Sequence, residues 1–257
     1  MSSDNVQLAV LHPEKVCVYS ISSVSGVADH GNSSNILLIY ELKLQTKAYN
    51  MLVGPMGTPK GKDIICVQSI DSNFDFFENE SYLFSYRNIN CDLCEMRDDK
   101  KDFQQNFPVE IAFIPKRDLL ILITDSYVID CYQYQEIALN ADQQQKKFQL
   151  PDQVPKKSLA EWSYHFGEFV LDIQVVNLID KWCLIALGER HLCVLHENGQ
   201  LYFSKKLDLN PTSFVPIAIR RGNFNEITGT IVLLSTQGQL AVSYLGTNPS
   251  LKLIIEC

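Results

Sequence analysis

The sequence has few of the features that would point to a membrane protein or a secreted protein. Its 257 residues contain no apolar run approaching the ~18 to 20 residues that a membrane-spanning helix needs. The first residues, Met1–Asn5, are polar, and the apolar run Val6–Leu11 is too short for the hydrophobic part of a secretory signal. We therefore expect the chain to be cytoplasmic.

The sequence also lacks an excess of basic residues. Lysine and arginine number 22 against 30 aspartates and glutamates, which gives a formal net charge of -8. Phosphate backbones are bound by basic residues gathered on one face, so nucleic acid is not expected as a partner. Two short basic doublets, Lys205–Lys206 and Arg220–Arg221, leave contact with an anionic lipid headgroup as a minority hypothesis.

Signatures of catalysis are missing as well. No GxSxG nucleophile elbow is present, and His165 lies within an aromatic, strand-like run. The segment Gly54–Asp63 lacks the spacing of a phosphate-binding loop and precedes a strand instead of a helix. The paired carboxylates Asp98–Asp99, and Glu78 with Glu80, are local and read as solvated charges. The sequence thus predicts no catalytic residues, no cofactor-binding residues and no enzyme activity.

A metal site is not expected either. Cys91 and Cys94 have the spacing of half a zinc site, but the sequence holds no second half, and His191 and His196 lie five residues apart in a strand, on opposite faces. Most of the eight cysteines sit inside apolar strand-like runs, where they are expected to be reduced and buried.

What the sequence does contain is a repeated unit: an apolar strand, a short polar turn and a second strand rich in tyrosine, phenylalanine, valine and cysteine. Its equivalent positions are 56, 55, 64 and 48 residues apart. A period of this length built from strands alone is typical of a β-propeller, in which each blade is a four-stranded sheet. The five predicted hairpins are 7–21, 63–78, 118–135, 182–197 and 229–245.

The intervening segments supply further strands and two loops. Continuous apolar runs such as 119–123 and 231–235 indicate strands buried on both faces, as stacked blades require. Asn198–Gly199 predicts a type I′ turn. The regions 87–107 and 139–158 are charged or rich in glutamine and lysine, and we expect loop insertions there, the second allowing one helical turn. The remaining predicted strands are 36–43, 48–53, 81–87, 161–166, 170–178, 201–207 and 214–220.

Long strings of the sequence resemble one known family. They lie at 8–22, 29–45, 61–85, 161–174, 185–191, 197–209 and 238–251. These segments are similar to the amino-terminal propeller of the Bardet-Biedl syndrome 9 family, also called parathyroid-hormone-responsive B1, a subunit of the ciliary coat named the BBSome. Because neither a WD dipeptide nor a double-glycine kelch pattern is present, the fold prediction rests on the hairpin period and on this resemblance.

The resemblance implies an all-β chain whose residues 1–257 form part of an amino-terminal propeller, seven-bladed in the family and incomplete here. It implies that a blade of the family is skipped between 205–208 and 231–235. It also implies a non-catalytic scaffold whose partners are other BBSome subunits, with contact to cargo and ciliary membrane only through the complex, located in the cytoplasm, cilium, basal body and ciliary membrane. The alternative is a propeller that binds anionic lipid or serves another intracellular coat.

Overall fold

Strands dominate the computed structural model, which describes residues 6–24, 33–57, 62–87, 108–147, 160–178, 181–217, 230–244 and 253–255. Over these residues, nineteen strands form five antiparallel sheets, four of them with four strands and the first with three. The fold is a β-propeller in which each sheet is one blade, so the predicted fold class is confirmed.

The chain divides into two compact units, and the first holds blades one and two. This unit comprises residues 1–88 and 140–155. Blade one consists of β1 (Val6–His12), β2 (Lys15–Val24) and β3 (Ser33–Lys43). Blade two consists of β4 (Ala48–Gly54), β5 (Ile64–Ser69), β6 (Asn73–Glu78) and β7 (Ser81–Arg87).

The second unit, residues 89–139 and 156–257, holds blades three, four and five. Blade three consists of β8 (Pro108–Ile114), β9 (Leu119–Thr124), β10 (Val128–Gln133) and β11 (Trp162–His165). Blade four consists of β12 (Val170–Leu178), β13 (Lys181–Gly188), β14 (His191–His196) and β15 (Leu201–Lys206). Blade five consists of β16 (Pro211–Ile217), β17 (Thr230–Ser235), β18 (Leu240–Tyr244) and β19 (Leu253–Ile255).

All five predicted hairpins are confirmed. They are the antiparallel pairs β1–β2, β5–β6, β9–β10, β13–β14 and β17–β18. Every residue of β9 is buried, as the apolar run 119–123 predicted for a strand covered on both faces. The same prediction for 231–235 is wrong, because Leu234 of β17 is 39% exposed and Val232 is only half-buried, so one face of that strand is uncovered.

Apolar side chains between neighbouring blades form the described cores. Within the first unit, Val16 and Val18 of β2 pack against Ile65 and Val67 of β5. Within the second unit, the β9–β10 hairpin packs on β12 and β13, and the β13–β14 hairpin packs on β16 and β17. In the second unit, each joint therefore sets the second and third strands of one blade against the first and second strands of the next.

The loop prediction for 139–158 is wrong over its first part. Residues Tyr134–Lys147 form the helix α1. Tyr134, Ile137 and Ala141 are buried at helical spacing, and the rest of the segment is rich in strong helix formers. A stripe of three residues that includes an alanine is easily missed, since it is neither long nor strongly apolar. Residues 148–158, and 88–107 of the other predicted insertion, lie outside the described residues.

The turn at Asn198–Gly199 is also different from the prediction. Only Gly199 of the pair has a positive φ, at 79°. The Gly199 N–H donates to the carbonyl of His196 at 2.9 Å, and the His196 N–H donates to the carbonyl of Gln200 at 2.9 Å. This is a three-residue loop, a type I turn followed by a glycine in the left-handed region, so the type I′ assignment is wrong although the hairpin is confirmed.

Candidate interaction surfaces

The described part of the chain has no cluster of side chains with the geometry of a metal site. No group of three or more His, Cys, Asp or Glu residues there is placed to hold a metal ion. His12 and His165 are exposed on strands, and Glu78 accepts a hydrogen bond from Lys62 at 2.7 Å. The helix α1 is too short and too polar to cross a membrane, and no other described helix is long or apolar enough. Cys91, Cys94, Asp98 and Asp99 lie outside the described residues.

Polar residues recur at one position of the first strand in blades two to five. Asn50, Glu110, Asp172 and Ser213 each stand third in their strand, directly after a β-bulge. A bulge re-aims the side chain that follows it. The Asp172 carboxylate thereby reaches the next blade, where its Oδ2 accepts the Phe214 backbone N–H at 3.1 Å.

A second anchor joins blade three to blade four. The Trp162 indole Nε1–H donates to the carbonyl of Glu197 at 3.0 Å, and the ring lies against Gly199. A Cβ added at Gly199 would stand 2.5 Å from the Trp162 ring. Glycine is therefore needed here both for its backbone angle and for the close approach of the indole.

A third anchor holds the β13–β14 turn. Oε1 of Glu168 accepts the backbone N–H groups of Arg190 at 3.0 Å and His191 at 2.8 Å. His191 Nδ1 lies 3.4 Å from the same oxygen. A side chain at Gly188 would collide with the Glu168 carboxylate, so this carboxylate is used as a structural cap. His191 and His196 do not come together, since they lie on opposite faces of β14 as predicted.

The basic doublet Lys205–Lys206 does not form a single patch. Lys205 Nζ donates to the Ser243 hydroxyl of blade five at 2.7 Å, whereas Lys206 is the next residue along the strand and points to the opposite face. Two lysines that face apart attract a flat anionic surface less than two that face together. Arg220 and Arg221 lie outside the described residues.

The face of blade one that points away from blade two is apolar and exposed, and we call it the open face. Its centre is the register row of Leu8, Tyr19 and Leu38, and the next row ends at Ile36. Ile36 is 61% exposed, and Leu8 and Leu38 are 41% and 44% exposed. Contiguous exposed apolar surface of this kind marks protein-interaction sites.

Blade five has a similar but smaller surface. Val215 of β16 is 60% exposed, and Leu234 and Ile217 are partly exposed on the same face. The opposite face of the same sheet carries Phe214, Ile231 and Leu233, which are buried against blade four. One face of blade five therefore presents apolar side chains that its own unit leaves uncovered.

The sequence did not reveal these two surfaces. The runs 36–43 and 231–235 were recognised as strands, but an apolar strand reads the same whether both of its faces are covered or only one.

Five cysteines have the environment that the sequence predicted. Cys17, Cys66, Cys131, Cys183 and Cys193 are free thiols and are buried. Burial raises the pKa of the Cys66 and Cys131 thiols, which keeps them in the unreactive protonated form. The other three cysteines lie outside the described residues.

We expect Cys66 and Cys131 to resist alkylation by iodoacetamide in the native protein and to react fully in denaturing urea. Peptide mapping by mass spectrometry after timed quenching would measure each site separately. Labelling of either cysteine at the same rate with and without urea would contradict the burial of these thiols.

Sequence comparison matches the chain to one family model and to relatives that share one protein name. The family model described as PTHB1 N-terminal matches residues 1–216 and 211–249. The chain is 35% identical over 289 residues to Protein PTHB1 of Xenopus laevis, covering 96% of this chain and 32% of the relative. It is 34% identical over 292 residues to Protein PTHB1 of Mus musculus, covering 97% and 31%. The chain thus spans about a third of the length of these relatives.

The family model matches the chain in two pieces, and these pieces overlap at residues 211–216, which lie in β16. The Xenopus laevis alignment runs over 289 residues, whereas the matched 96% of this chain is about 247. The alignment is thus about 42 positions longer than the matched part of this chain, and the skipped blade between 205–208 and 231–235 stays a prediction.

Structural comparison supports the fold alone. The crystal structure of BBS1N in complex with ARL6DN superposes with a TM-score of 0.56 at 12% identity, covering 97% of this chain and 68% of that one. Sqt1 of Saccharomyces cerevisiae superposes with a TM-score of 0.55 at 8% identity, covering 96% and 57%. Similarity at such low identity indicates a shared architecture and leaves function to the sites.

Proposed function

This chain belongs to the PTHB1 N-terminal family, and on that premise we propose that it is a non-catalytic scaffold propeller of a BBSome-type coat. The observation that carries the proposal is the open face of blade one, an apolar surface that includes Leu8, Ile36 and Leu38. A soluble assembly subunit buries such a surface against a partner.

The use of the polar groups supports a non-catalytic role. Glu168, Asp172 and Trp162 bind backbone groups of neighbouring turns and strands, so they hold blades in place and are not free to act on a substrate. A catalytic carboxylate needs access to a reacting atom, whereas the carboxylates of Glu168 and Asp172 already accept hydrogen bonds from backbone N–H groups of the fold.

The proposed partners are the other subunits of the coat. Ciliary membrane and membrane-protein cargo are reached indirectly through the complex, and the chain resides in the cytoplasm and the cilium. The excess of acidic over basic residues and the divided Lys205–Lys206 doublet favour protein partners over a direct lipid contact.

Affinity capture of the tagged chain from ciliated cells, with mass spectrometry of the recovered proteins, tests this proposal. We expect the other BBSome subunits to be recovered. The double variant Ile36→Glu and Leu38→Glu places two charges on the open face and should reduce their recovery at least tenfold at equal expression.

Leu201→Glu is the matched control, because Leu201 is 48% exposed on the edge strand β15, away from the open face. It should leave recovery unchanged. Recovery of chaperones alone by the unmodified chain would overturn the proposed function, and equal recovery by the double variant would exclude the open face as the contact.

A further inference from the structure

A carboxylate or a thiol recurs at one position of blades one to four. It is the third residue of the second strand in each hairpin, that is, of β2, β6, β10 and β14. Each of these residues pairs directly with a polar residue of the following strand, and the two side chains are hydrogen-bonded. The pairs are Cys17 with Glu41, Asp75 with Ser85, Asp130 with Ser163 and Cys193 with Ser204.

Two of these residues, one in each unit, face a joint between blades. Asp75 pairs with Val67, which belongs to the apolar core between blades one and two. Cys193 pairs with Ala186, which belongs to the core between blades three and four. Residues that pair directly lie on the same face of a sheet. Asp75 therefore faces blade one, and Cys193 faces blade three.

The joint between blades three and four gives Cys193 a second partner. The Tyr164 hydroxyl of blade three donates to the Cys193 sulfur, which also lies 3.4 Å from Ser204 Oγ. Tyr164 is on β11 and pairs with Ile129, the second residue of β10. Burial raises the pKa of the Cys193 thiol, so the group at this joint is neutral and has two hydroxyl partners.

The joint between blades one and two has Leu42 at the place that corresponds to Tyr164. Leu42 is on β3 and pairs with Val16, the second residue of β2, and it is buried in the core of this joint. A leucine side chain has no hydrogen-bonding group. This joint therefore combines an ionisable group, Asp75, with an aliphatic side chain at the place where the other joint supplies a hydroxyl.

The titratable and charged groups around Asp75 lie on the turns, strands and links next to it. They are Asp71 in the β5–β6 turn, Glu80 in the β6–β7 turn, Tyr82 and Arg87 on β7, Tyr40 on β3, Lys47 before β4, and Cys66 on the opposite face of blade two. Burial raises the pKa of Tyr40, Tyr82 and Cys66, so these three groups are neutral at neutral pH. Lys47 and Arg87 are exposed, and solvent screens their charges.

Asp75 itself is half-buried. Burial raises the pKa of its carboxyl above the ordinary value, the Ser85 hydroxyl opposes this rise by donating a hydrogen bond, and the Asp71 carboxylate adds to it. Taking an ionised carboxylate out of water costs free energy unless it is fully paired. At neutral pH the ionised Asp75 therefore opposes the packing of blade two on blade one.

We propose that Asp75 makes the joint between blades one and two sensitive to pH. At neutral pH its negative charge weakens the joint, and in mildly acidic solution the neutral acid lets the two blades pack more firmly. This inference goes beyond the scaffold function, because it concerns the stability of the first unit and does not depend on which partner the chain binds.

The direction of the effect follows from proton binding. The folded chain holds the Asp75 proton more tightly than the unfolded chain, in which this carboxyl has its ordinary pKa of 3.8. The contribution of Asp75 to stability is therefore gained as the pH falls through the raised pKa and lost as the pH rises through it. Glu41 acts in the opposite direction, because its hydrogen bond from Lys15 lowers its pKa. Only chains that differ at Asp75 alone isolate its effect.

Asp75→Asn in the full chain removes the charge and keeps an oxygen that can accept the Ser85 hydrogen bond. At about pH 7.5 we expect the amides of Ile64–Ser69 to exchange at least about threefold more slowly in the variant, by hydrogen–deuterium exchange corrected for intrinsic rates. At about pH 4.5 the ratio of the two rates should fall towards one. Equal or faster exchange of the variant at neutral pH would overturn the proposal. So would a ratio that is the same at both pH values, since the substitution would then act through shape and not through charge.

Asp130→Asn is the matched control, because Asp130 holds the same position in blade three, where its bond with Ser163 is exposed. It should leave the exchange of Ile64–Ser69 unchanged at both pH values. A change as large as that of Asp75→Asn would overturn the proposal, because the net charge of the chain would then be the cause.

Ser85→Ala gives a second test in the chain that keeps Asp75. It removes the hydroxyl that favours the charged carboxylate, so the exchange of Ile64–Ser69 should depend more steeply on pH than in the unmodified chain. A pH dependence that Ser85→Ala leaves unchanged or reduces would contradict the role of Asp75.

Discussion

Gly199→Ala is expected to lower the free energy of unfolding by about 2 to 5 kcal/mol. The backbone at Gly199 has a φ of 79°, where an L-residue costs roughly 1 to 2 kcal/mol. The added methyl group also meets the Trp162 ring at 2.5 Å, and overpacking a fixed ring costs about 1 to 3 kcal/mol. The ring cannot easily retreat because its Nε1–H is bonded to the Glu197 carbonyl.

Gly238→Ala is the matched control. Gly238 has a φ of 80° in a loop with the same two backbone hydrogen bonds, at Ser235 in place of His196, but a Cβ there meets nothing within 4 Å. Only the backbone cost of about 1 to 2 kcal/mol remains. Urea titrations of both variants measure the difference, and equal losses would show that Trp162 does not press on the turn.

Ile121→Ala and Leu122→Ala are each expected to cost about 2 to 5 kcal/mol, the usual range for cutting a buried aliphatic side chain back to alanine. The two residues are neighbours in β9 and point to opposite faces of blade three, and both are fully buried. In a sheet with one face exposed to solvent, one of the two substitutions would hardly change the free energy of unfolding.

The same pair of substitutions in β17 should behave differently. Leu233 is buried, whereas its neighbour Leu234 is 39% exposed on the outer face of blade five. Leu233→Ala should therefore cost about 2 to 5 kcal/mol and Leu234→Ala less than about 1 kcal/mol. Urea unfolding followed by tryptophan fluorescence measures all four variants, and a large loss for Leu234→Ala would show that something covers that face.

The sequence allowed the hairpins to be predicted because their signal is local. An apolar run, a polar turn and a second apolar run specify a hairpin without any knowledge of what packs on it. β8 was missed because Pro108 and Pro115 bound it and Glu110 lies inside it, although Val109, Ile111 and Phe113 alternate as a strand does. β19 was missed because three residues are too few for a period.

The features that could not be predicted depend on neighbours far away in sequence. The helix α1 is held by burial of Tyr134, Ile137 and Ala141, and its own apolar stripe is weak. The left-handed glycine of a hairpin loop can follow a type I turn or form part of a type I′ turn, and Asn-Gly suits both. The open face of blade one could not be predicted either, since exposure is a property of the assembled blade.

The cross-blade anchors also bear on how the chain folds as it leaves the ribosome. Trp162, Glu168 and Asp172 all precede the groups they hold, at Glu197, Arg190 and Phe214. Each anchor is thus synthesised before its target, so a folded blade offers a finished template to the blade that emerges after it. These contacts therefore favour assembly of the blades in order from the amino terminus towards the carboxyl terminus.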